Sequence, residues 1–304
     1  MPKNQRFDSR QFMKSSTYEI FRYRDDYPKN VTLHHHDFYE IYFFLSGNVQ
    51  YNIEDRSYLM TPGDVLLISP MELHQPVFGQ THLDYERYVL WINKQYLDSL
   101  SMPGQEFNRC FDTTLPGHSN LLRPAGVSRQ YLTFLMEQIR SEQNSRKPYS
   151  EVAALTYLVQ LMITLNRMAI QNKGEGQIKA PESVIYNILT YVNEHYQEDL
   201  SLDDLANRFF LSKYHLSREF QRLVGTSVHR YIVQKRLAMA KQMLSDGQPS
   251  AQVYQQCGFG DYSSFYRAFK TEYQISPKEF VRRMKENDGR VELLPRRFLD
   301  QLEK

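Results

Sequence analysis

The sequence predicts an α+β multidomain protein: an N-terminal β-barrel with two following helices, then an all-α domain of two helix-turn-helix units. Three observations predict it. Short apolar runs separated by Gly, Pro, Asn and Asp turns fill the first third without a helical period. The apolar spacing then changes to that of amphipathic helices. The last third is a series of short helices punctuated by capping residues and glycines. A chain of 304 residues has room for two domains of ordinary size, and its 41% hydrophobic and 24% charged residues exclude a disordered chain.

From about Tyr18 to Trp91 the apolar runs are Glu40 to Leu45, Val49 to Ile53, Tyr58 to Met60, Val65 to Ile68 and Tyr88 to Ile92. Ser46-Gly47-Asn48, Glu54-Asp55 and Thr61-Pro62-Gly63-Asp64 punctuate them, which is the pattern of an all-β sandwich or barrel. Val127, Tyr131, Leu132, Leu135, Gln138 and Ile139 then recur at helical spacing after Ser128, a candidate N-cap. Beyond the break at Pro148, Leu155, Val159 and Met162 with Leu158, Leu165 and Ala169 form a second stripe. Two such helices after a complete barrel either pack on it or pair with a second subunit, and so apolar a stripe favours a homodimer contact. The polar, glycine-containing stretch from Gln171 to Gln177 reads as a linker.

In the last third, Val184 to Val192 makes one amphipathic helix, and Ser201-x-x-Asp204 forms a capping box ahead of Leu205 and Ala206. Ser212 caps a helix with Leu216, Phe220 and Leu223 on its apolar face, and Gly225 ends it. Ser227 opens a longer helix closed by Gly247. The pattern then repeats: Ser250 starts a short helix, Gly258 ends it, a helix with Phe265 and Phe269 follows, and Ser276-Pro277 opens the last. Short helix, tight turn and second helix with a polar outer face is the arrangement that lays a helix in a DNA major groove.

The formal net charge is only +2, but Arg208 to Lys285 holds fourteen Lys or Arg against five acids, an excess that suits a polyanion. Cys110 and Cys257 lack metal-ligand spacing and read as buried apolar residues. The polar start offers no signal-peptide core, and the apolar stretch Val152 to Leu165 falls short of the roughly 20 residues of a membrane span. A cytoplasmic protein without a membrane partner is expected.

Several motifs between Ile185 and Arg283 resemble the AraC/XylS family of transcription regulators. They are Leu202-x-x-Leu205-Ala206, Ser212-Lys213-Tyr214-His215-Leu216-Ser217-Arg218-x-Phe220, Gly225-x-Ser227, Arg236-Leu237-x-x-Ala240, Cys257-Gly258-Phe259, Phe265-x-Arg267-x-Phe269-Lys270 and Ser276-Pro277. Two positions depart from the pattern: Tyr254 stands where the family usually has Ala, and Gln274 where it usually has Gly. With Leu216 and Phe220 facing the core, Lys213, Tyr214, Ser217, Arg218 and Arg222 fall on the outer face of the first unit. The family positions of the second unit are Tyr262, Ser263, Tyr266 and Arg267, with Lys270 as a phosphate contact. Arg218 is the best bidentate reader of guanine, and Tyr214 can meet a thymine methyl or a phosphate. The resemblance implies double-stranded promoter DNA as partner, with RNA polymerase as a further one.

His34-x-His36-x3-Glu40-x6-Gly47, Pro62-Gly63-Asp64 and Pro70-x-x-x-His74 are similar to cupin motifs and to the sugar-sensing domains of this regulator family. Residues 34, 36 and 40 share a strand face, so His34, His36, Glu40 and His74 are the set that would hold a metal. The second motif departs from the metal-binding pattern: Glu72 replaces Gly, the Pro-to-His spacing is one residue short, and Phe78 replaces the terminal Asn. The reading is therefore a cupin-like barrel without a metal cofactor. It would bind a small effector, a sugar or related metabolite, through His34, His36, Glu40, Tyr42 and His74, with Glu86 and Tyr88 from a later strand. The alternative is a metal-dependent cupin enzyme with an attached DNA-binding domain. The expected domains are the barrel at 1–112, a helical dimerisation segment at 113–172, a linker at 173–182, the DNA-binding domain at 183–286 and a tail at 287–304.

Overall fold

A computed structural model describes residues 13–25, 31, 33–79, 84–171 and 184–286. The expected linker at 173–182 and the tail at 287–304 lie outside the described residues. The described residues include eight strands: β1 (Tyr18–Asp25), β2 (Tyr39–Ser46), β3 (Val49–Ile53), β4 (Arg56–Leu59), β5 (Val65–Ile68), β6 (His74–Phe78), β7 (Tyr85–Ile92) and β8 (Leu121–Leu122). They form two antiparallel sheets, of order β1-β7-β2-β5-β8 and β4-β3-β6. The interior between them is dominated by aromatic side chains, among them Phe21, Tyr23, Phe38, Tyr42, Tyr51, Tyr85 and Trp91. The expected turn at Glu54-Asp55 joins β3 to β4, and Glu54 takes a φ of 50° there.

The outer face of the larger sheet is covered by α1 (Lys94–Ser99), α2 (Gly126–Gln143) and α3 (Ser150–Gln171). The sequence misplaces the apolar face of α2. Leu132, Leu135, Met136 and Ile139 are buried, whereas Val127 is 81% exposed and Tyr131 is 39% exposed. Ala125 rather than Ser128 holds the N-cap position, without a side-chain cap. In α3 the buried stripe is Ala154, Leu158, Leu161, Met162 and Leu165. That helix is apolar enough by composition to span a membrane, but it packs on the barrel.

The remaining helices are α4 (Val184–His195), α5 (Leu202–Arg208), α6 (Lys213–Val224), α7 (Val228–Ser245), α8 (Ser250–Gln256), α9 (Tyr262–Tyr273) and α10 (Pro277–Glu286). The capping chemistry explains their boundaries. Ser201 and Asp204 form the reciprocal capping box of α5, Ser212 and Ser227 cap α6 and α7, and Gly225 ends α6 in the left-handed region at φ 74°. Ser250 is the first residue of α8 and not its cap, a position that Pro249 holds without a side-chain bond. Two cores result. One joins α4 to α7 around Leu205, Leu216, Phe220 and Tyr231, and the other gathers Leu237, Val253, Phe265, Phe269 and Phe280. The helix α7 runs through both, so it carries the two helix-turn-helix units on one rod.

Candidate functional site

Two sites of opposite character stand out, an exposed one on α6 and α9 and a buried one in the barrel. In α6, Leu216, Phe220 and Val224 fill the core, which turns Lys213, Tyr214, Ser217, Arg218 and Arg222 to solvent. In α9, Phe265, Phe269 and Tyr273 are buried, and Tyr262, Ser263, Arg267 and Lys270 are exposed while Tyr266 is half-buried. Both helices thus present a polar outer face, the requirement for insertion in a groove. Intramolecular pairing distinguishes the cations. Lys213 is paired with Asp203, and Arg222 lies 2.7 Å from Glu219, whereas Arg218 reaches Glu219 only at 3.8 Å. Arg218 is therefore the least engaged of the three. The departure at Tyr254 has a structural correlate, since its ring packs edge-on against Tyr262 at 5.8 Å, at the start of α9.

Sequence reasoning missed Phe210, in the turn between α5 and α6. It is 96% exposed and has a φ of 54°, so the chain turns through an aromatic residue where glycine is usual. Its apolar character hid it, because an aromatic residue between helices reads as core.

The buried site is built at one end of the barrel. β2 contributes Glu40 and β6 contributes His74, and His36 precedes β2. A backbone bridge between His34 and His74, with bonds of 3.1 and 2.9 Å, ties the two segments together and sets the His34 and His74 rings 4.2 Å apart. His36 Nδ1 donates to the Phe38 carbonyl at 2.9 Å, and His74 Nδ1 donates to the Glu72 carbonyl at 2.8 Å. Each Nε2 is then an unprotonated acceptor when the ring is neutral. Both Nε2 atoms are buried without a hydrogen-bond partner, although His36 Nε2 approaches Glu40 Oε2 to 3.3 Å. Burial, then the neighbouring His34 and His36, hold His74 well below the usual histidine range. Burial pushes the Glu40 carboxyl up, but His36, His34 and the Trp91 indole together outweigh it, so Glu40 stays ionised. The Trp91 Nε1–H donates to Glu40 Oε2 at 2.8 Å.

His36, Glu40 and His74 place their ligand atoms within 4.8 Å of one another. Their kind suits a transition ion, and each imidazole has the outer hydrogen bond that metal-bound histidines show. The grouping is looser than a closed tetrahedral shell, whose ligand atoms stand about 3.4 Å apart at ordinary zinc distances. All three groups can accept hydrogen bonds, so a donor placed among them would also be satisfied.

Two expected members do not belong. Glu86 binds Arg22 at 2.8 Å, and the Tyr88 hydroxyl donates to Glu137 of α2, so both face the helical layer outside the barrel. The inner face of β7 is one residue out of step with the pair Glu86 and Tyr88. Glu40 pairs in register with Trp91, which puts Tyr85, Arg87, Val89 and Trp91 on the inner face. β7 is buried on both faces except at Glu86, so its sequence carries no alternation from which to choose a side. Tyr42 does face inward, sharing a hydrogen bond with Tyr85.

Comparison with known proteins agrees with both halves. The profile of an AraC-like ligand binding domain matches residues 17–159, and that of a helix-turn-helix domain matches residues 205–283. The chain belongs to the AraC/XylS family. It is 26% identical over 253 residues to the probable transcriptional regulator LumQ of Photobacterium leiognathi, covering 83% of this chain and 92% of LumQ. To the HTH-type transcriptional activator RhaS of Yersinia pseudotuberculosis it is 27% identical over 248 residues, covering 81% of this chain and 87% of RhaS. Among solved structures, unsaturated fatty acid bound ToxT from Vibrio cholerae aligns with 88% of this chain and 95% of its own, at 15% identity and a TM-score of 0.35. That likeness is too distant to transfer a ligand. As an AraC-type protein, this chain is a DNA-binding transcriptional regulator that carries a ligand-binding domain.

Proposed function

We propose that this regulator acts in the cytoplasm as a homodimer on specific promoter sequences, and that a hydroxyl-rich metabolite, a sugar or close relative, controls it. The carrying observation is the buried cluster of His36, Glu40 and His74, whose ligand atoms converge and whose two Nε2 atoms lack a hydrogen-bond partner. A sugar hydroxyl donates to such groups. The rings of Phe38, Tyr51 and Trp91 beside them offer the apolar faces on which a sugar packs. Leaving the two Nε2 atoms unpaired costs about 1–3 kcal/mol each, which a donating ligand offsets. The exposed apolar side chains Val127, Phe134 and Val152 on α2 and α3 supply the dimer contact, and the free outer faces of α6 and α9 supply the DNA contact. Contact with RNA polymerase would follow at an activated promoter.

A thermal-shift series with monosaccharides and polyols tests the reading. A binder at a hundredfold excess over its Kd should stabilise the fold by about 2.7 kcal/mol. His36→Ala and Glu40→Ala should abolish the shift, whereas Glu86→Ala should retain it. Chelator should leave the melting temperature unchanged. The donor set also favours one second reading, a metal-dependent barrel enzyme. Elemental analysis showing one tightly held transition metal per chain, lost in His36→Ala, would replace the sensor reading with that one.

A further inference from the structure

The two helix-turn-helix units repeat one turn, and the repeat departs at a single kind of contact. In the first unit, the turn after α5 has Phe210 in the left-handed region at φ 54°; the Phe210 N–H donates to the Asn207 carbonyl and the Leu211 N–H to the Ala206 carbonyl. In the second, the turn after α8 has Gly258 at φ 80°; the Gly258 N–H donates to the Gln255 carbonyl and the Phe259 N–H to the Tyr254 carbonyl. The backbones match, but their surroundings differ. Phe210 points to solvent, whereas a Cβ on Gly258 would lie 2.7 Å from the carbonyl oxygens of both Tyr196 and Gln197. Those carbonyls belong to the loop between α4 and α5, in the other unit. Glycine is required at 258 by this approach as well as by its φ.

Arg236 of α7 holds the same loop. Its Nε–H donates to the Tyr196 carbonyl at 2.8 Å and its Nη2 to the Glu198 carbonyl at 2.6 Å, while the guanidinium lies 5.9 Å from the centre of the Phe259 ring. Three successive loop carbonyls thus face Arg236 and Gly258. The loop is fixed to the first unit as well. The Glu198 N–H donates to the His195 carbonyl at 2.9 Å, and the His195 ring bonds the Glu198 carboxylate at 2.7 Å and stacks on Tyr191 at 4.2 Å.

Other contacts hold the far ends of the recognition helices. Gln75 of β6 and Asn52 of β3 donate to the Val224 and Leu223 carbonyls at the C-terminal end of α6, at 2.9 and 3.4 Å. Tyr273, at the C-terminal end of α9, shares a 3.0 Å hydrogen bond with His35. The α4–α5 loop acts at the opposite end of α9. Gly258 and Phe259 lead into its N-terminus, the end that a recognition helix places against base edges.

We propose that the α4–α5 loop is a strut, locked by Arg236 and Gly258, that sets the distance and helical phase between the two DNA segments the protein reads. The two units have distinct apolar cores, with α7 running through both. A single helix is one line of attachment, about which the second unit can turn. The strut lies off that line and fixes the angle. Phase matters because one base pair turns the duplex by about 34° and advances it by about 3.4 Å. A freely turning second unit would follow such a change, and a strutted one does not. Specificity then includes the spacing between the two segments in addition to the bases within them.

Spacing-resolved DNA binding by the full-length protein tests the strut. Binding-site selection gives the two segments, and duplexes with one base pair inserted or deleted between them are then compared with the selected one. The unaltered protein should bind them about tenfold or more weakly, in the range of a mismatched base pair, and Arg236→Gln, which removes both bonds to the loop, should reduce that penalty to about threefold or less while keeping the base preference within each segment. Gly258→Ala, which forces the loop away, should do the same. Gly247→Ala carries the backbone strain alone, at φ 86° with nothing within 4 Å of its Cβ, and should keep the full spacing penalty. Arg236→Lys, which keeps the charge but cannot span both carbonyls, replaces Arg236→Gln should that variant fail to fold. Spin labels on Gln221→Cys and Thr271→Cys, at exposed positions of α6 and α9, give a readout without DNA: a narrow distance distribution that broadens when Arg236 is replaced. Indifference of the unaltered protein to spacing would overturn the strut. So would an affinity loss in Arg236→Gln of equal size at every spacing, or a distance distribution that the replacement leaves unchanged.

Discussion

In the first helix-turn-helix unit, Ser212 opens the recognition helix, Gly225 ends it at φ 74°, and two barrel amides complete its last turn. In the second, Asp261 opens the helix, Gln274 ends it at φ 62°, and among the described residues Tyr273 joins it to the barrel through a hydrogen bond with His35. The core of the first unit includes Leu33 and Leu73 from the barrel, whereas the core of the second is drawn from its own helices. The same motif therefore serves two mechanical roles. The first unit is built into the ligand-binding domain, and the second extends from it along α7.

The largest effect that could break this comparison is in the shared core. Leu73 is fully buried and packs in the core of the first unit, so Leu73→Ala should cost about 2–5 kcal/mol by chemical denaturation. Amide exchange should rise in both the barrel and α4 to α6, while α8 to α10 keep their protection. Val253→Ala, in the core of the second unit, should do the reverse and leave the barrel unchanged. Loss of protection confined to the barrel in Leu73→Ala would show that the first unit is as independent as the second.

At the DNA face the expected effects are smaller and again unequal. Arg218→Ala should cost about 1–3 kcal/mol of binding and relax preference at one base pair, since its guanidinium is exposed and little engaged. Lys270→Ala should weaken all sequences alike through loss of a phosphate contact. Arg267→Ala should fall below Arg218→Ala, because the second unit is tethered less firmly. Binding-site selection on the three variants measures the order. A uniform, sequence-independent loss in Arg218→Ala would remove it from the base-reading set.

What the sequence made legible follows from where its signals are local. The caps Ser201, Ser212 and Ser227 and the terminating Gly225 act within one helical turn, so the helical domain was readable nearly element by element. The barrel is legible where polar turn residues interrupt the apolar runs, as at Glu54-Asp55, and ambiguous in β7, whose two faces are both buried. The inward Trp91 and the outward Tyr88 exchange roles with a one-residue change of parity, and only the register with β2 decides between them. The interface was not legible at all. His35, Asn52 and Gln75 are ordinary polar residues in sequence, and their partners lie more than a hundred positions away.

The smallest effect tests the two helix ends directly. A non-glycine residue in the left-handed region costs about 1–2 kcal/mol, and Gln274 recovers part of this through its side-chain bond to the Thr271 carbonyl at 2.8 Å. Gln274→Gly removes that strain but gives the unfolded chain more freedom, worth roughly 0.5–1 kcal/mol in the other direction. The net gain should be a few tenths to about 1 kcal/mol, read as a rise of a few degrees in melting temperature. The reciprocal change, Gly225→Gln, should cost about 1–2 kcal/mol. Its Cβ would meet Gln75 at 3.5 Å, an ordinary contact, so the cost is in the backbone and not in a clash. Because Gly225 follows the carbonyls that the barrel holds, this variant should also quicken amide exchange at the end of α6, an effect with no counterpart at Gln274. Equal and opposite stability changes with no exchange difference would mean that the two helix ends are equivalent, and that the barrel amides add nothing to the first.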